Sequence, residues 1–257
     1  LDNPIADNLA LMRSTLWCGL IDAWRYNHAR QAPRLRLFEA GVCFSRVEGA
    51  IAETPRIAGL AAGAALPEQW GVDARPADFY DLKAEVCALV GRPAAFRVDP
   101  AAHGSLHPGR RARELYDGRN VGWIGELHPA LVAELGLPGP ALLFELDLVV
   151  VCRTDLPRSA AVPEFPASRR DLALVVPEPV SLQALLEAVR AAGPETLREV
   201  FVFDVYRGEN LGTTFKSMAL GLIFQDYSRT LTDMEIDSAM ARINAEVAAN
   251  LGASGRA

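Results

Sequence analysis

Apolar positions recur at helical spacing near the start of the chain. Leu9, Met12, Leu16, Leu20 and Trp24, flanked by Trp17 and Ile21, predict an amphipathic helix from residue 8 to about residue 30. Strand-like runs follow: LRLFEAGVCF (35–44), RIAGLAAGAAL (56–66), AAFRVD (94–99), RELY and NVGWIGEL around Asp117-Gly118, and ALLFELDLVVV (141–151). An Asp-Gly pair between two apolar runs is a strong hairpin signal, because both residues tolerate the turn's positive φ. Helical patterns at 78–90 and 128–135 interrupt the strands, the second with Pro129 in its first turn. Together they predict a mixed, mainly antiparallel sheet with flanking helices over residues 1–151, α+β in class.

The pattern stops at CRTDLPRSAAVPEFPASRR, where three prolines and no periodicity predict a linker over 152–168. Residues 169–257 form a second domain. Arg170 to Val176 reads as a strand, and Ser181 caps a helix to about Ala192. Glu199 to Tyr206 and Lys216 to Phe224 read as strands, and a helix runs from Thr232 to about Leu251. Its stripe is Ile236, Met240, Ile243, Val247 and Leu251. A last short strand within 253–257, weakened by Gly252 and Gly255, completes a ferredoxin-like βαββαβ order.

In that fold both helices cover one face of the sheet. Alternation then sends Leu172, Leu174, Val176, Phe201, Phe203, Val205, Met218, Leu220, Leu222 and Phe224 toward the core. The open face receives Ala173, Asp204, Tyr206 and Ser217, a small residue, an acceptor, an aromatic plane and a hydroxyl. Such a face suits unstacked bases. Arg169, Arg170, Arg207, Lys216 and Arg229 are placed at its rim, where cations contact phosphates. Parity alone leaves open that Asp204 and Tyr206 face solvent or pack under the linker.

Composition narrows the function classes. The chain has 257 residues, half of them apolar, and a net charge of −6, enough for one large or two modest domains. No signal peptide and no run of membrane-spanning length is present, so a cytoplasmic protein is expected. The chain begins at Leu1 without an initiator methionine and reads as a piece of something longer. Cys18, Cys43, Cys87 and Cys152 lie far apart and predict buried thiols rather than a zinc site. His107 and His128 precede prolines and read as a turn and a helix start. Ser105 and His107 lack an orienting acid, so no hydrolase triad is expected. Residues 163–257 hold 9 Lys and Arg against 13 Asp and Glu, so nucleic-acid binding there must rest on local contacts.

FPASRRDLALVV, FDVYRG and KSMALGLIFQDYSRTLTDMEID, in that order, closely resemble the C-terminal anticodon-binding domain of the bacterial phenylalanyl-tRNA synthetase β-subunit family. NPIADNLALMRSTLWCGLIDAWRYNHAR, RLRLFEAGVCF, DFYDLKAEVCALVG, SLHPGRRARELYDGRNVGWIGELHPALVAELGL and LLFELDL resemble its catalytic-like, class II domain. The match runs from about Asn3 to Leu251. The resemblance implies an α2β2 aminoacyl-tRNA synthetase, a ligase joining phenylalanine to tRNA(Phe) with ATP and Mg2+, whose α subunit holds the active site. It implies no catalytic residue, metal or bound cofactor in this segment, and anticodon contacts at Ala173, Asp204, Tyr206 and Ser217. Arg36 lies nearest the place of an ATP-clamping arginine, but no second motif accompanies it. With the α subunit absent, the first domain is expected to expose apolar surface and self-associate, the Trp17–Trp24 stripe being either core or interface. The alternative is a stand-alone ferredoxin-like regulatory module that binds a small ligand.

Overall fold

The computed structural model describes residues 3, 5, 10–91, 95–97, 103–116, 118–153, 159 and 162–255. The chain divides into two compact units, Leu1–Leu156 and Pro157–Ala257.

Unit 1 is built on six strands: β1 (Leu35–Val47), β2 (Ala50–Ala62), β3 (Ala95–Arg97), β4 (Leu106–Tyr116), β5 (Arg119–Leu127) and β6 (Ala141–Asp147). They lie in the order β1-β2-β6-β5-β4-β3, and each pair is antiparallel. Alternation along β6 feeds two cores on opposite faces. Ala141 and Leu143 join Leu16, Trp17, Leu20 and Trp24 of α1 (Trp17–His28) and its lead-in. Leu142, Phe144 and Leu146 join Leu82, Val86 and Val90 of α2 (Phe79–Val90). Asp78 caps α2 through the amides of Tyr80 and Asp81, and Gly91 ends it in the left-handed conformation. The remaining helices are short: α3 (Pro129–Glu134), capped by His128, and α4 (Leu148–Val151).

Two expectations fail here for identifiable reasons. Helix α1 starts at Trp17, not residue 8, because the preceding segment commits its polar groups elsewhere. Phe44 N donates to Arg13 O at 2.8 Å, and Leu16 N and Thr15 Oγ1 donate to the Glu145 carboxylate at 2.8 and 2.7 Å. Residues 8 and 9 lie outside the described ones. The apolar run at 148–151 is a helical turn rather than strand, because Asp147 accepts from the amides of Val149 and Val150 and caps it. Trp17 and Trp24 are both buried in their own unit, and Trp17 Nε1 donates to Phe144 O at 2.9 Å. The stripe is therefore core, which counts against an interface placed on it. Exposed apolar side chains of unit 1 include Leu11 and Met12 before α1, Tyr26 on it, Phe38 and Ile51 of the β1–β2 hairpin, and Trp70.

Unit 2 contains β7 (Ser168–Pro177), α5 (Leu182–Ala192), β8 (Leu197–Tyr206), β9 (Phe215–Phe224), α6 (Asp233–Leu251) and β10 (Ser254–Gly255). Its sheet runs β10-β7-β9-β8 and is antiparallel throughout. Ser181 caps α5, and Thr232 and Glu235 form a reciprocal capping box on α6. Both helices pack on one face, where Leu185 and Val189 meet Ile236, Ile243 and Val247 over Leu172, Leu174, Val176, Met218, Leu220 and Leu222. The last strand keeps only two residues, opposite Val175 and Leu174. Residues 256 and 257 lie outside the described ones.

Strand β8 breaks the simple alternation. Val200 faces Leu222 and Val202 faces Leu220, so these two valines enter the core. The next residue in register is Asp204, opposite Ala219, and Phe203 is the extra residue of a β-bulge. The expectation that Phe201 and Phe203 face the helices is therefore wrong. Phe201 pairs with Gly221 on the open face, and Phe203 is 50 % exposed. After the bulge, parity is restored: Val205 pairs with Met218, and Asp204 and Tyr206 face away from the helices.

These placements separate two substitutions that the sequence alone would treat alike. Leu220→Ala, at a site with 0 % exposure, should destabilise unit 2 by about 2–5 kcal/mol. Phe203→Ala, at the bulge, should cost less than about 1 kcal/mol. Chemical denaturation followed by a unit 2 probe measures both; equal losses would put the Phe203 ring in the core and refute the bulge.

Candidate nucleic-acid interface

Three consecutive cross-strand rows occupy the middle of the open face of unit 2, next to the row of Arg169, Ile223 and Glu199. The first is Asp171, Gly221 and Phe201; the second Ala173, Ala219 and Asp204; the third Val175, Ser217 and Tyr206. The middle row is shallow, since two of its three residues carry only a methyl group. Among the described residues nothing hydrogen-bonds or ion-pairs with the exposed Asp204 carboxylate, which is thus free to accept. Aromatic rings flank this row on either side. The Phe201 ring lies across Gly221, where a Cβ would come within 2.5 to 2.9 Å of its atoms. The Tyr206 ring lies against Gly208, which likewise has no room for a side chain. Glycine at these two positions lets the rings lie close over the backbone.

Ala173, Asp204, Tyr206 and Ser217, the four residues selected from the sequence, thus fall in two adjacent rows of one face. Ser217 differs from the other three in being covered, at 4 % exposure. The sequence reading missed Phe201 and Phe203, which strict alternation assigned to the core. The signal available for them was Gly221, a glycine inside an apolar strand, which marks a place where another group approaches the backbone.

Only part of the cationic rim is where parity put it. Arg169 is on the open face, its Nε donating to Asp171 Oδ1 at 2.7 Å and its guanidinium carbon 5.3 Å from the centres of both the Phe201 and Phe203 rings. Arg170 pairs instead with Leu222 on the helix-covered side and binds Asp233 in the first turn of α6 at 2.6 Å. Lys216 points the same way, is 7 % exposed, and donates from Nζ to Glu178 O at 2.7 Å; burial pushes its ammonium pKa down. Neither is a rim cation. Arg207 is held by Glu178 at 2.9 Å, and this hydrogen bond lowers the Glu178 pKa. Arg229 makes a two-pronged contact with Glu235 at 2.6 and 2.9 Å. The Arg229 hydrogen bond, followed by those from Thr232, holds the Glu235 carboxyl at about 2.

Comparison with known proteins bears on both units. A family profile described as "Phenylalanyl tRNA synthetase beta chain CLM domain" matches residues 1–148, and one described as "Ferredoxin-fold anticodon binding domain" matches residues 163–256. The chain is 44 % identical over 253 residues to the phenylalanine–tRNA ligase beta subunit of Methylococcus capsulatus, covering 98 % of this chain and 32 % of that protein. It is 45 % identical over 244 residues to that of Thiobacillus denitrificans, covering 95 % and 30 %. With that of Dechloromonas aromatica the identity is 44 % over 248 residues, covering 95 % and 31 %. The chain spans about a third of the length of these relatives.

The Arg229–Glu235 contact gives a pH dependence with a definite sign. Glu235 is depressed from the ordinary 4.5 to about 2 in the folded state, so the unfolded chain binds more protons between these values and stability rises with pH there. Its contribution is complete above about pH 4.5 and is lost as pH falls through about 2. Amide exchange in the first turn of α6 should accelerate, relative to the intrinsic rate, across that window, and Glu235→Gln should flatten the response. An unchanged profile in Glu235→Gln would show that this carboxylate does not anchor the turn.

Proposed function

The chain belongs to the family of phenylalanine–tRNA ligase β subunits, and from that premise we propose that unit 2 receives the anticodon of tRNA(Phe) on the open face of its sheet. The supporting observation is the shallow row Ala173–Ala219–Asp204 with a ring on each side. A flat base can approach the backbone over the two methyl groups, and the free Asp204 carboxylate accepts from a base N–H. Tyr206 offers a stacking surface beside it. Ser217 is covered, so a hydrogen bond from its hydroxyl to a base requires a local rearrangement. Binding of this kind contributes to charging by holding the cognate tRNA in register while a mismatched base leaves buried donors or acceptors unpaired.

Unit 1 is proposed to pack on the catalytic α subunit of an α2β2 enzyme, where ATP-dependent attachment of phenylalanine takes place. ATP and Mg2+ belong to that reaction, and the two arginines Arg36 and Arg110 are committed within unit 1 instead. Arg36 spends its donors on Glu85 and on the carbonyls of Leu35, Ala62, Ala64 and Ala65. Arg110 is engaged by Glu126 at 2.7 Å. No step of the chemistry is therefore assigned to this chain. Among the described residues no helix is long and apolar enough to cross a membrane, and the proposed reaction belongs in the cytoplasm.

In the assembled enzyme, Tyr206→Ala should remove a stacking surface worth roughly 1–3 kcal/mol, lowering charging efficiency by about five- to a hundredfold. Asp204→Asn should relax discrimination at one anticodon base more than it lowers affinity. Arg170→Ala should leave the salt dependence of tRNA binding unchanged, because its partner is Asp233. Charging kinetics with wild-type and anticodon-mutant tRNA(Phe) test all three. If Tyr206→Ala keeps both efficiency and the preference for GAA in a folded enzyme, the anticodon is read elsewhere.

A further inference from the structure

Given the anticodon-face reading, we propose that Arg169, Phe201 and Phe203 form a second stacking platform, which holds an unpaired base of the same RNA strand next to the bases bound at Ala173, Asp204 and Tyr206.

Exposure supplies the first argument. Both helices of unit 2 lie on the other side of the sheet, yet two phenylalanines stand on the bare side, one of them half exposed. Phe201 is there by its register opposite Gly221, and the bulge puts Phe203 beside it. The bulge costs a ladder pairing and turns Phe203 outward, while the valines on either side of Phe201 supply the core. Bulges of this kind re-aim side chains beside binding sites.

The cation is also pre-organised. Arg169 stands equally far from the two rings, and Asp171 fixes its Nε. Its two terminal amino groups have no partner among the described residues. A guanidinium plane beside two aromatic faces is a clamp for a flat π-system.

Spacing gives the third argument. The Phe201 and Tyr206 rows are two same-face steps apart, roughly 13 Å at the strand rise. One shallow row lies between them. The face therefore offers successive stations, ring, small residues with an acceptor, ring, along one line. Splayed consecutive bases fit that order. A phosphate-led contact does not, because the unit's acidic excess supplies no field to hold a polyanion and the base-facing groups must carry the binding. The occupant fitted by this chemistry is a nucleobase, and continuity with the Ala173–Asp204 row places it beside the anticodon triplet.

The test uses the full chain and an RNA hairpin carrying GAA in its loop, with fluorescence anisotropy as readout. Phe203→Leu keeps an apolar side chain but removes the π face, and should weaken binding about five- to a hundredfold. Phe203→Trp should preserve it, and Arg169→Gln should weaken it. Hairpins with one abasic site at a time should include one, flanking the triplet, whose binding is already low and no longer responds to Phe203→Leu. Phe203 lies outside the core, so matched unfolding midpoints are expected and establish that the variants are folded. If Tyr206→Ala weakens binding while Phe203→Leu and Arg169→Gln bind like the wild type, the platform is overturned and the anticodon-face reading stands. If Phe203→Leu is silent and the Arg169→Gln loss vanishes at high salt, Arg169 is a phosphate contact and the platform is likewise overturned. If Tyr206→Ala and Asp204→Asn are also silent, or wild type does not bind, both readings fall.

Discussion

A sheet covered on one side only is the constraint from which the rest of unit 2 follows. Two helices bury one face; the other must be filled by residues that water or a ligand can accept. Every side chain on β7, β8 and β9 is thereby assigned to one of two chemistries by its register alone, and a slip of one residue exchanges them. The antiparallel pairing of β9 with both neighbours fixes that register in the centre, where Leu220 and Leu222 are fully buried. The extra residue in β8 then re-phases the strand's end without disturbing the centre. Val200 and Val202 satisfy the core before the bulge, and Asp204 and Tyr206 reach the open face after it.

The same division explains which cations are available. Arg170 and Lys216 belong by register to the helix side, and each is satisfied there, by a carboxylate of α6 and by the Glu178 carbonyl. Arg229 is tied into the cap of α6. A buried or half-buried cation without a partner would be costly, so the unit neutralises its own basic residues as it folds. Pairing inside the unit withdraws them from any polyanion outside it. Arg169 is paired as well, through Nε with Asp171, but on the face that holds no helix, where two rings are its other neighbours.

Most of the architecture was legible because it depends on local patterns. Ser181 and the 3.6-residue stripe of α6 declare helices through cap and periodicity, and the structure places them there. What was not legible depends on partners distant in the chain. The start of α1 is decided by Glu145 and Phe44, which capture the amide and carbonyl groups of the lead-in. Asp147 turns an apolar run into helix by capping it, an effect that a count of strand formers does not register. The β8 bulge is invisible to alternation, which reads Phe201, Phe203 and Val205 as one set. Asp204 and Tyr206 were placed on the correct face because counting from Val205 inward happens to agree with the register beyond the bulge. The same count applied before the bulge failed for Phe201.

Recognition on such a face must work by different means from a basic groove. Counterion release favours binding in proportion to the phosphates neutralised, and it is indifferent to sequence. Unit 2 pairs Arg170, Arg207 and Arg229 with its own carboxylates and carries a net acidic excess. Bulk attraction is therefore weak, and affinity has to come from groups that touch the bases: ring planes, a free carboxylate, and methyl-floored space that admits a base and excludes nothing charged. These contacts differ from one base to the next, whereas phosphates do not. A surface poor in free cations consequently forgoes non-specific affinity and leaves a larger share of its binding energy dependent on base identity. That is the property required of a domain whose proposed task is to tell one anticodon from another.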